Sequence, residues 1–257
     1  MPCITPSLYN LLTLSLAILS LASLPTFFIN KKSTIGLYYF AKHYILRILY
    51  DYMDNQEKVW DNEYSQNKNK WHKETTSLPT IKRSEKVLEL GVGNGKTLKA
   101  ILKHKPKEVT AIDFSKEAIN IAKSNKSFKN VKFIKSDVRE LPFKDNYFEI
   151  VVCYYTLNNL IEKDRIKAVS EINRVLKPKG KIFFQDFAVG DFRQKGELIE
   201  KNTIQNKKEI ICHFSTKQEL NILFKEFSNI KITTKITSPI THKPKLKRKI
   251  LSGIISK

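Results

Sequence analysis

The chain has 257 residues, 41% of them apolar, and a formal net charge of +21. That is enough apolar material for one domain of ordinary size with an attachment, and it excludes a disordered chain. Cys3, Cys153 and Cys212 show neither a C-x-x-C step nor metal-ligand spacing. This argues against zinc and against a disulfide framework, so no structural metal and a reducing compartment are expected.

The first 52 residues hold Lys31, Lys32, Lys42 and Arg47 against Asp51, or +3, which leaves +18 of the +21 on the remainder. Such an excess favours a polyanionic partner, RNA or an anionic membrane surface. A composition rich in Lys, Asn and Ile throughout gives the same number without any binding role. A binding site would concentrate the charge on one face.

Residues 1–30 carry no charged side chain, and residues 8–29 approach the length needed to cross a bilayer. Lys31, Lys32, Lys42 and Arg47 follow, so by the positive-inside rule the rest of the chain would stay cytoplasmic. Leu37, Phe40, Ala41, Tyr44, Ile45 and Ile48 then follow helical spacing. The only methionines are Met1 and Met53. Three readings of residues 1–52 therefore stay open: a membrane anchor, an upstream extension of the reading frame, or a packed helix. A domain over residues 53–240 and a basic C-terminal tail over 241–257 complete the expected organisation.

Residues 54–66 read as a polar helix in which Trp60 and Tyr64, with Trp71 beyond, either stack on a ligand or pack the segment onto the domain. Thr75 to Pro79 reads as a loop. Next comes Lys86-Val-Leu-Glu-Leu-Gly-Val-Gly-Asn-Gly-Lys-Thr97. Val87, Leu88 and Leu90 form the apolar run of a strand buried on both faces. Gly91, Gly93 and Gly95 allow a tight turn that a ligand can approach, and a helix begins near Thr97 with its free N–H groups facing that turn. A second strand, Glu108 to Ile112, ends on Asp113, 18 residues after Gly95. A carboxylate there can accept hydrogen bonds from both hydroxyls of a ribose. A third strand, Val131 to Lys135, is followed by Ser136 and a second acid, Asp137.

Further on, Ser115 caps a helix over 116–123, and Phe148 to Tyr154 is a fourth strand. Glu162 to Leu176 is a helix ended by Pro178 and Gly180, and Lys181 to Gln185 is a fifth strand. This βα alternation predicts an α/β fold with a mainly parallel sheet and helices on both faces. The last third breaks the rhythm. Glu197 to Asn202 reads as a short helix, and Glu209 to Phe214 alternates like a strand. Ser215 caps a helix over 216–227, with Glu219 loosely at the capping-box offset, and Asn229 to Thr237 is β-rich. KPKLKRK, residues 243–249, reads as a solvated basic end or a contact for RNA or lipid.

With these blocks in place, the sequence resembles the class I S-adenosylmethionine-dependent methyltransferases. The resemblance rests on Glu89-Leu-Gly-Val-Gly-Asn-Gly95, Asp113-Phe-Ser115, Ser136-Asp137, Tyr147-Phe-Glu-Ile-Val-Val-Cys153 and Arg174-Val-Leu-Lys-Pro-Lys-Gly-Lys181. It implies a Rossmann-like, doubly wound, seven-stranded, mostly parallel sheet closed by an antiparallel C-terminal hairpin, with S-adenosyl-L-methionine as cofactor. It further implies that Glu89, Gly91, Gly93 and Gly95 shape the pocket for the methionine part. Asp113 would take the ribose with Phe114 flanking adenine, and Asp137 the adenine amino group with Val138 beside it.

Methyl transfer from a sulfonium is an in-line displacement governed by positioning, so catalytic residues are hard to read from sequence. Tyr154 and Tyr155 are the expected wall residues, and His213 is a candidate base. The (Asn/Asp)-Pro-Pro-(Tyr/Phe) step of several amino-group methyltransferases is missing after strand four, which disfavours an adenine N6 or glutamine amide acceptor. A small-molecule or lipid acceptor is the first expectation. Phe183-Phe-Gln-Asp186, His213-Phe-Ser-Thr216 and the Trp60–Tyr64 block are similar to tRNA 3-methylcytidine methyltransferases, which keeps a tRNA substrate as an alternative. A non-enzymatic, cofactor-binding partner subunit is a third.

Overall fold

The computed structural model describes residues 55–67, 78–237 and 247–257. The expectations for residues 1–52, for Trp71 and for Thr75 to Ser77 fall outside them. Among the described residues no helix is long and apolar enough to cross a membrane.

Residues 55–66 are helical (α1). The chain then forms β1 (Lys86–Leu90), α2 (Lys96–Lys103), β2 (Glu108–Asp113), α3 (Lys116–Ser124), β3 (Lys132–Lys135), β4 (Phe148–Tyr154), α4 (Glu162–Val175) and β5 (Leu176–Phe187). After these come β6 (Glu197–Glu200), β7 (Thr203–Gln205), β8 (Ile211–His213), α5 (Lys217–Leu223), β9 (Asn229–Thr237) and β10 (Arg248–Ser256). The main sheet has seven strands in the order β3-β2-β1-β4-β5-β10-β9. Its first five strands are parallel, and β10 runs antiparallel to both β5 and β9. This is the Rossmann-like arrangement that the sequence implied.

Strand alternation divides the core into two layers. Val87, Ile150, Val152 and Phe183 face one way, onto Leu98 and Ile101 of α2 and Ile119 and Ala122 of α3. Leu88, Leu90, Val151, Phe184 and Leu251 face the other way, onto Ala168, Val169 and Ile172 of α4 and Leu220 of α5. Because the order reverses at β1, whose neighbours are β2 and β4, a crevice opens at the carboxyl ends of these strands.

Four expectations need correction. β5 begins at Leu176, not Lys181, because Leu176 pairs with Phe148 while Lys181 pairs with Ile150. The four residues between them bulge out, which suits Pro178, with no N–H to donate, and Lys179 at φ 63°. Glu197 to Asn202, expected as a short helix, supplies β6, because pairing of Leu198 with Ile204 satisfies its backbone across the strands. The cap of α5 is Thr216, not Ser215. Thr216 Oγ1 accepts from Glu219 N at 3.1 Å and Thr216 N donates to Glu219 Oε2 at 2.7 Å, a reciprocal capping box. The segment read as a basic tail, 241–257, contributes β10 instead. Leu251 and Ile255 are buried in it, with seven residues in register against β5 and nine against β9.

Candidate active site

The crevice at the carboxyl ends of β1, β2 and β4 is a cleft open to solvent. Gly91 lines its floor, and Gly91 and Gly93 of the same turn have φ values of 66° and 52°. Side chains are excluded there on a second count. A Cβ on Gly91 would lie 2.6 Å from Thr156 Oγ1, and one on Gly93 would lie 2.6 Å from the Tyr64 hydroxyl. Thr156 is itself fixed by donating to Leu90 O at 2.8 Å. Gly95 serves packing instead, since a Cβ on it would meet the Phe128 ring at 2.3 Å.

Asp113 stands at the end of β2, 6% exposed. Its Oδ2 accepts from Gly93 N at 2.9 Å and its Oδ1 from Ser115 N at 3.0 Å. Burial outweighs these bonds and pushes its pKa up to about 6. Glu89, 2% exposed, is pushed well above the usual carboxylate range, first by burial and then by the charge of Asp113. Its Oε2 is buried with no hydrogen-bond partner.

Helix α1 covers the cleft. Trp60 and Tyr64 line it, their ring centroids 5.8 Å apart. The helix is pinned on two sides. Asp61 Oδ1 accepts from Ser115 Oγ at 2.5 Å and from Glu117 N at 3.2 Å, while Glu57 pairs with Lys135 at 2.6 Å. Opposite, Lys208 pairs with Glu63 at 2.5 Å, and Gln56 Nε2 donates to Glu209 O at 3.0 Å. The other oxygen-bearing end of that amide, Gln56 Oε1, is buried without a donor.

Of the residues singled out from the sequence, Gly91, Asp113, Phe114, Asp137, Val138 and Tyr155 line this one cleft. Asp137 is held by Arg139, whose Nε lies 2.9 Å from Oδ1 and 3.0 Å from Oδ2, while Arg139 Nη1 reaches Asp164 Oδ2 at 2.7 Å. Tyr155 sits in the left-handed region at φ 56° and its hydroxyl accepts a hydrogen bond from Gln185. Tyr154 lies beside the cleft, on the sheet face that packs against α2 and α3.

His213 does not join them. It lies in a second groove, between α4 and α5, where its Nδ1 is 2.8 Å from Thr203 Oγ1 across the β7–β8 pair. Burial, then the charge of Arg165, lower its pKa to about 4, and the ring does not line the cleft where Asp113 and Tyr155 meet. The stretch after strand four, expected to face the transferring methyl, does supply Tyr155, Thr156 and Asn159 to the lining, whereas the sequence reasoning missed Gln56, Arg139 and Asp164. They come from helix faces and turns with no motif to mark them; only the covering role of the segment before β1 pointed toward Gln56.

The comparisons agree with this geometry. Residues 88–184 match the family described as "Methyltransferase domain", spanning β1 to β5. That stretch is a methyltransferase domain, in line with the class I S-adenosylmethionine-dependent methyltransferases that the sequence resembles. Demethylmenaquinone methyltransferase of Staphylococcus aureus is 36% identical over 115 residues, which is 44% of this chain and 47% of the relative. The chain thus matches about half the length of that curated relative. Among solved structures, a S-adenosylmethionine-dependent methyltransferase of Methanosarcina mazei aligns at 21% identity and TM-score 0.55, covering 69% of this chain and 94% of its own. The 1,6-didemethyltoxoflavin-N1-methyltransferase of Burkholderia thailandensis, solved with 1,6-didemethyltoxoflavin and S-adenosylhomocysteine bound, aligns at 17% identity and TM-score 0.60. It covers 81% of this chain and 89% of its own, a likeness of fold.

The residues of this methyltransferase domain fit S-adenosylmethionine on their own chemistry. The glycine floor leaves no room for Cβ atoms, a carboxylate ends β2, Gln56 Oε1 is a buried acceptor lacking a donor, and Glu89 Oε2 is buried without a hydrogen-bond partner. A ligand rich in N–H and O–H groups is what such an orphaned acceptor requires.

Proposed function

We propose that the protein methylates a small-molecule or lipid acceptor. When bound, S-adenosylmethionine supplies an electrophilic methyl carbon on a sulfonium. Asp113 receives the ribose hydroxyls, Phe114 and Val138 flank the adenine, Asp137 accepts from its amino group, and Glu89 with the glycine floor receives the methionine end. Helix α1 excludes water above them, with Trp60 and Tyr64 as its contact surface. Tyr154 and Tyr155 form the wall along which the acceptor approaches, and the site acts by alignment, a term able to supply on the order of 7–11 kcal/mol of a barrier.

The observation that carries this reading is the convergence of Gly91, Asp113, Asp137 and Tyr155 on one covered cleft. The named acceptors of the two relatives, demethylmenaquinone and 1,6-didemethyltoxoflavin, support a small substrate over a macromolecule. The full chain, incubated with tritiated S-adenosylmethionine and fractionated cell extract, is expected to label the small-molecule or lipid fraction, and Asp113→Ala to abolish the label. Label confined to tRNA would move the assignment to an RNA-modifying enzyme. Cofactor binding without label in any fraction would make the protein a partner subunit.

A further inference from the structure

We infer that the acceptor is an anionic small molecule, carrying a carboxylate or a phosphate ester, whose charge is received by Lys96 and Arg248 beside the Tyr154–Tyr155 wall. This rests on the proposed methyl transfer and names the chemical class of its substrate. The placement follows from the sheet. Tyr154 pairs with Gln185 on β5, and Phe187, two residues on, pairs with Ile250 of β10. Alternation from Phe183 and Ile254, which pack with α2 and α3, puts Gln185, Phe187, Ile250 and Arg248 on that same face. Lys96 opens α2 over this face, directly after the glycine floor.

The wall reaches the Arg193 loop through an aromatic ring. Tyr155 lies 4.8 Å from the Phe187 ring, centroid to centroid, and the Arg193 guanidinium lies 3.8 Å from that same ring on its way to the rim. Phe192 N donates to Lys247 O at 3.0 Å, which brings the Arg193 loop against the start of β10.

The charge here is not internally balanced. Arg193 is neutralised by Asp191, bonded at 2.7 and 2.9 Å. Lys96 and Arg248 have no carboxylate partner among the described residues. Asp186 is buried on the other face of the sheet, where it pairs in register with Leu251. Lys96 is half-buried, and burial followed by the charges of Arg248 and Arg193 lowers its pKa. A lysine at a helix N-terminus is opposed by the helix dipole as well. Three unfavourable terms on one side chain are relieved together by an anion, which two flanking cations and the N-terminal N–H groups of α2 would all bind.

The test is calorimetric titration of phenyl phosphate and of benzoate into the full chain saturated with S-adenosylhomocysteine, with phenol as the neutral control. At least one anion is expected to bind at least tenfold more tightly than phenol. Arg248→Gln and Lys96→Gln should each weaken it about tenfold or more, with S-adenosylhomocysteine affinity changed by less than twofold. Arg248 is exposed, so its variant should fold normally. Failure of both anions to bind the saturated wild-type protein would overturn the inference, as would equal binding of phenol. If Lys96→Gln weakened S-adenosylhomocysteine instead, Lys96 would belong to the cofactor's own carboxylate and the inference would fall. A short RNA that bound more tightly than both probes and needed Arg248 would overturn the small-molecule assignment. Absence of S-adenosylhomocysteine binding to the wild type, with anion binding intact, would sink the proposed methyl transfer and leave an anion site.

Discussion

Cofactor affinity should depend steeply on pH through Asp113. Its carboxyl is raised from 3.8 to about 6 because it is buried, against the pull of two backbone N–H bonds. A ribose diol donates to the carboxylate form, so cofactor binding draws on the ionised fraction alone. At pH 5 that fraction is about one in eleven, and the dissociation constant for S-adenosylhomocysteine should be about tenfold weaker than at pH 7.5. The same shift has a counterpart in stability. A carboxyl whose folded pKa exceeds its unfolded value favours folding fully below the unfolded value, and that contribution is lost as pH rises through about 6. The full excursion is worth about 3 kcal/mol at 1.36 kcal/mol per unit. The ligand-free Asp113→Asn variant should therefore gain on wild type in denaturant titrations between pH 4 and pH 7, by up to that amount. Calorimetry from pH 5 to pH 8 checks the binding half. A flat wild-type profile, or an unchanged slope in Asp113→Asn, would refute the reasoning.

Gly93→Ala should destabilise the fold by about 1–3 kcal/mol, from left-handed backbone strain plus the clash with the Tyr64 hydroxyl. Tyr64→Phe on that background should recover the steric part alone, as read from melting curves. Leu251→Ala, 2% exposed, should cost about 2–5 kcal/mol if β10 is a core strand, whereas a solvated tail would lose almost nothing. Thr216→Ala should cost about 1 kcal/mol through the lost capping box, measurable by urea titration. His213→Gln should leave S-adenosylhomocysteine affinity and methyl transfer near wild type, because the ring lies in the groove between α4 and α5; a large fall in turnover at unchanged cofactor affinity would restore it as a base.

The sequence was most readable where one residue type has one physical use. The strand at Lys86–Leu90, the positive-φ glycines and the acid closing β2 announced the cleft, because few alternatives fit an apolar run, a Cβ-free turn and a carboxylate at that spacing. It was least readable where pairing overrides local character. Glu197 to Glu200 and Lys247 to Lys249 look polar and solvated, yet β6 and β10 form because a neighbouring strand offers unpaired backbone. His213 shows the same limit from the other side: alternation put it on a strand but could not say that Thr203 faces it. Arg139 was invisible because its meaning lies in Asp164, 25 residues away.

The position of β10 also sets a clock on the nascent chain. β5 leaves the ribosome paired on one side with β4, and β9 follows, but the other edge of β5 and the whole of β9 lack their neighbour until Arg248–Ser256 has been made. At about 5–20 residues per second, the wait from the end of β5 lasts roughly 3–14 s. Through that interval an apolar strand edge stands open to any passing chain. β9 waits as an alternation of Lys231, Thr233 and Lys235 with Ile230, Ile232, Thr234 and Ile236, a pattern that keeps an unpaired strand in water. Occupancy of β5 by trigger-factor-like holdases during synthesis, and release only once β10 is out, would be the cellular trace of this topology.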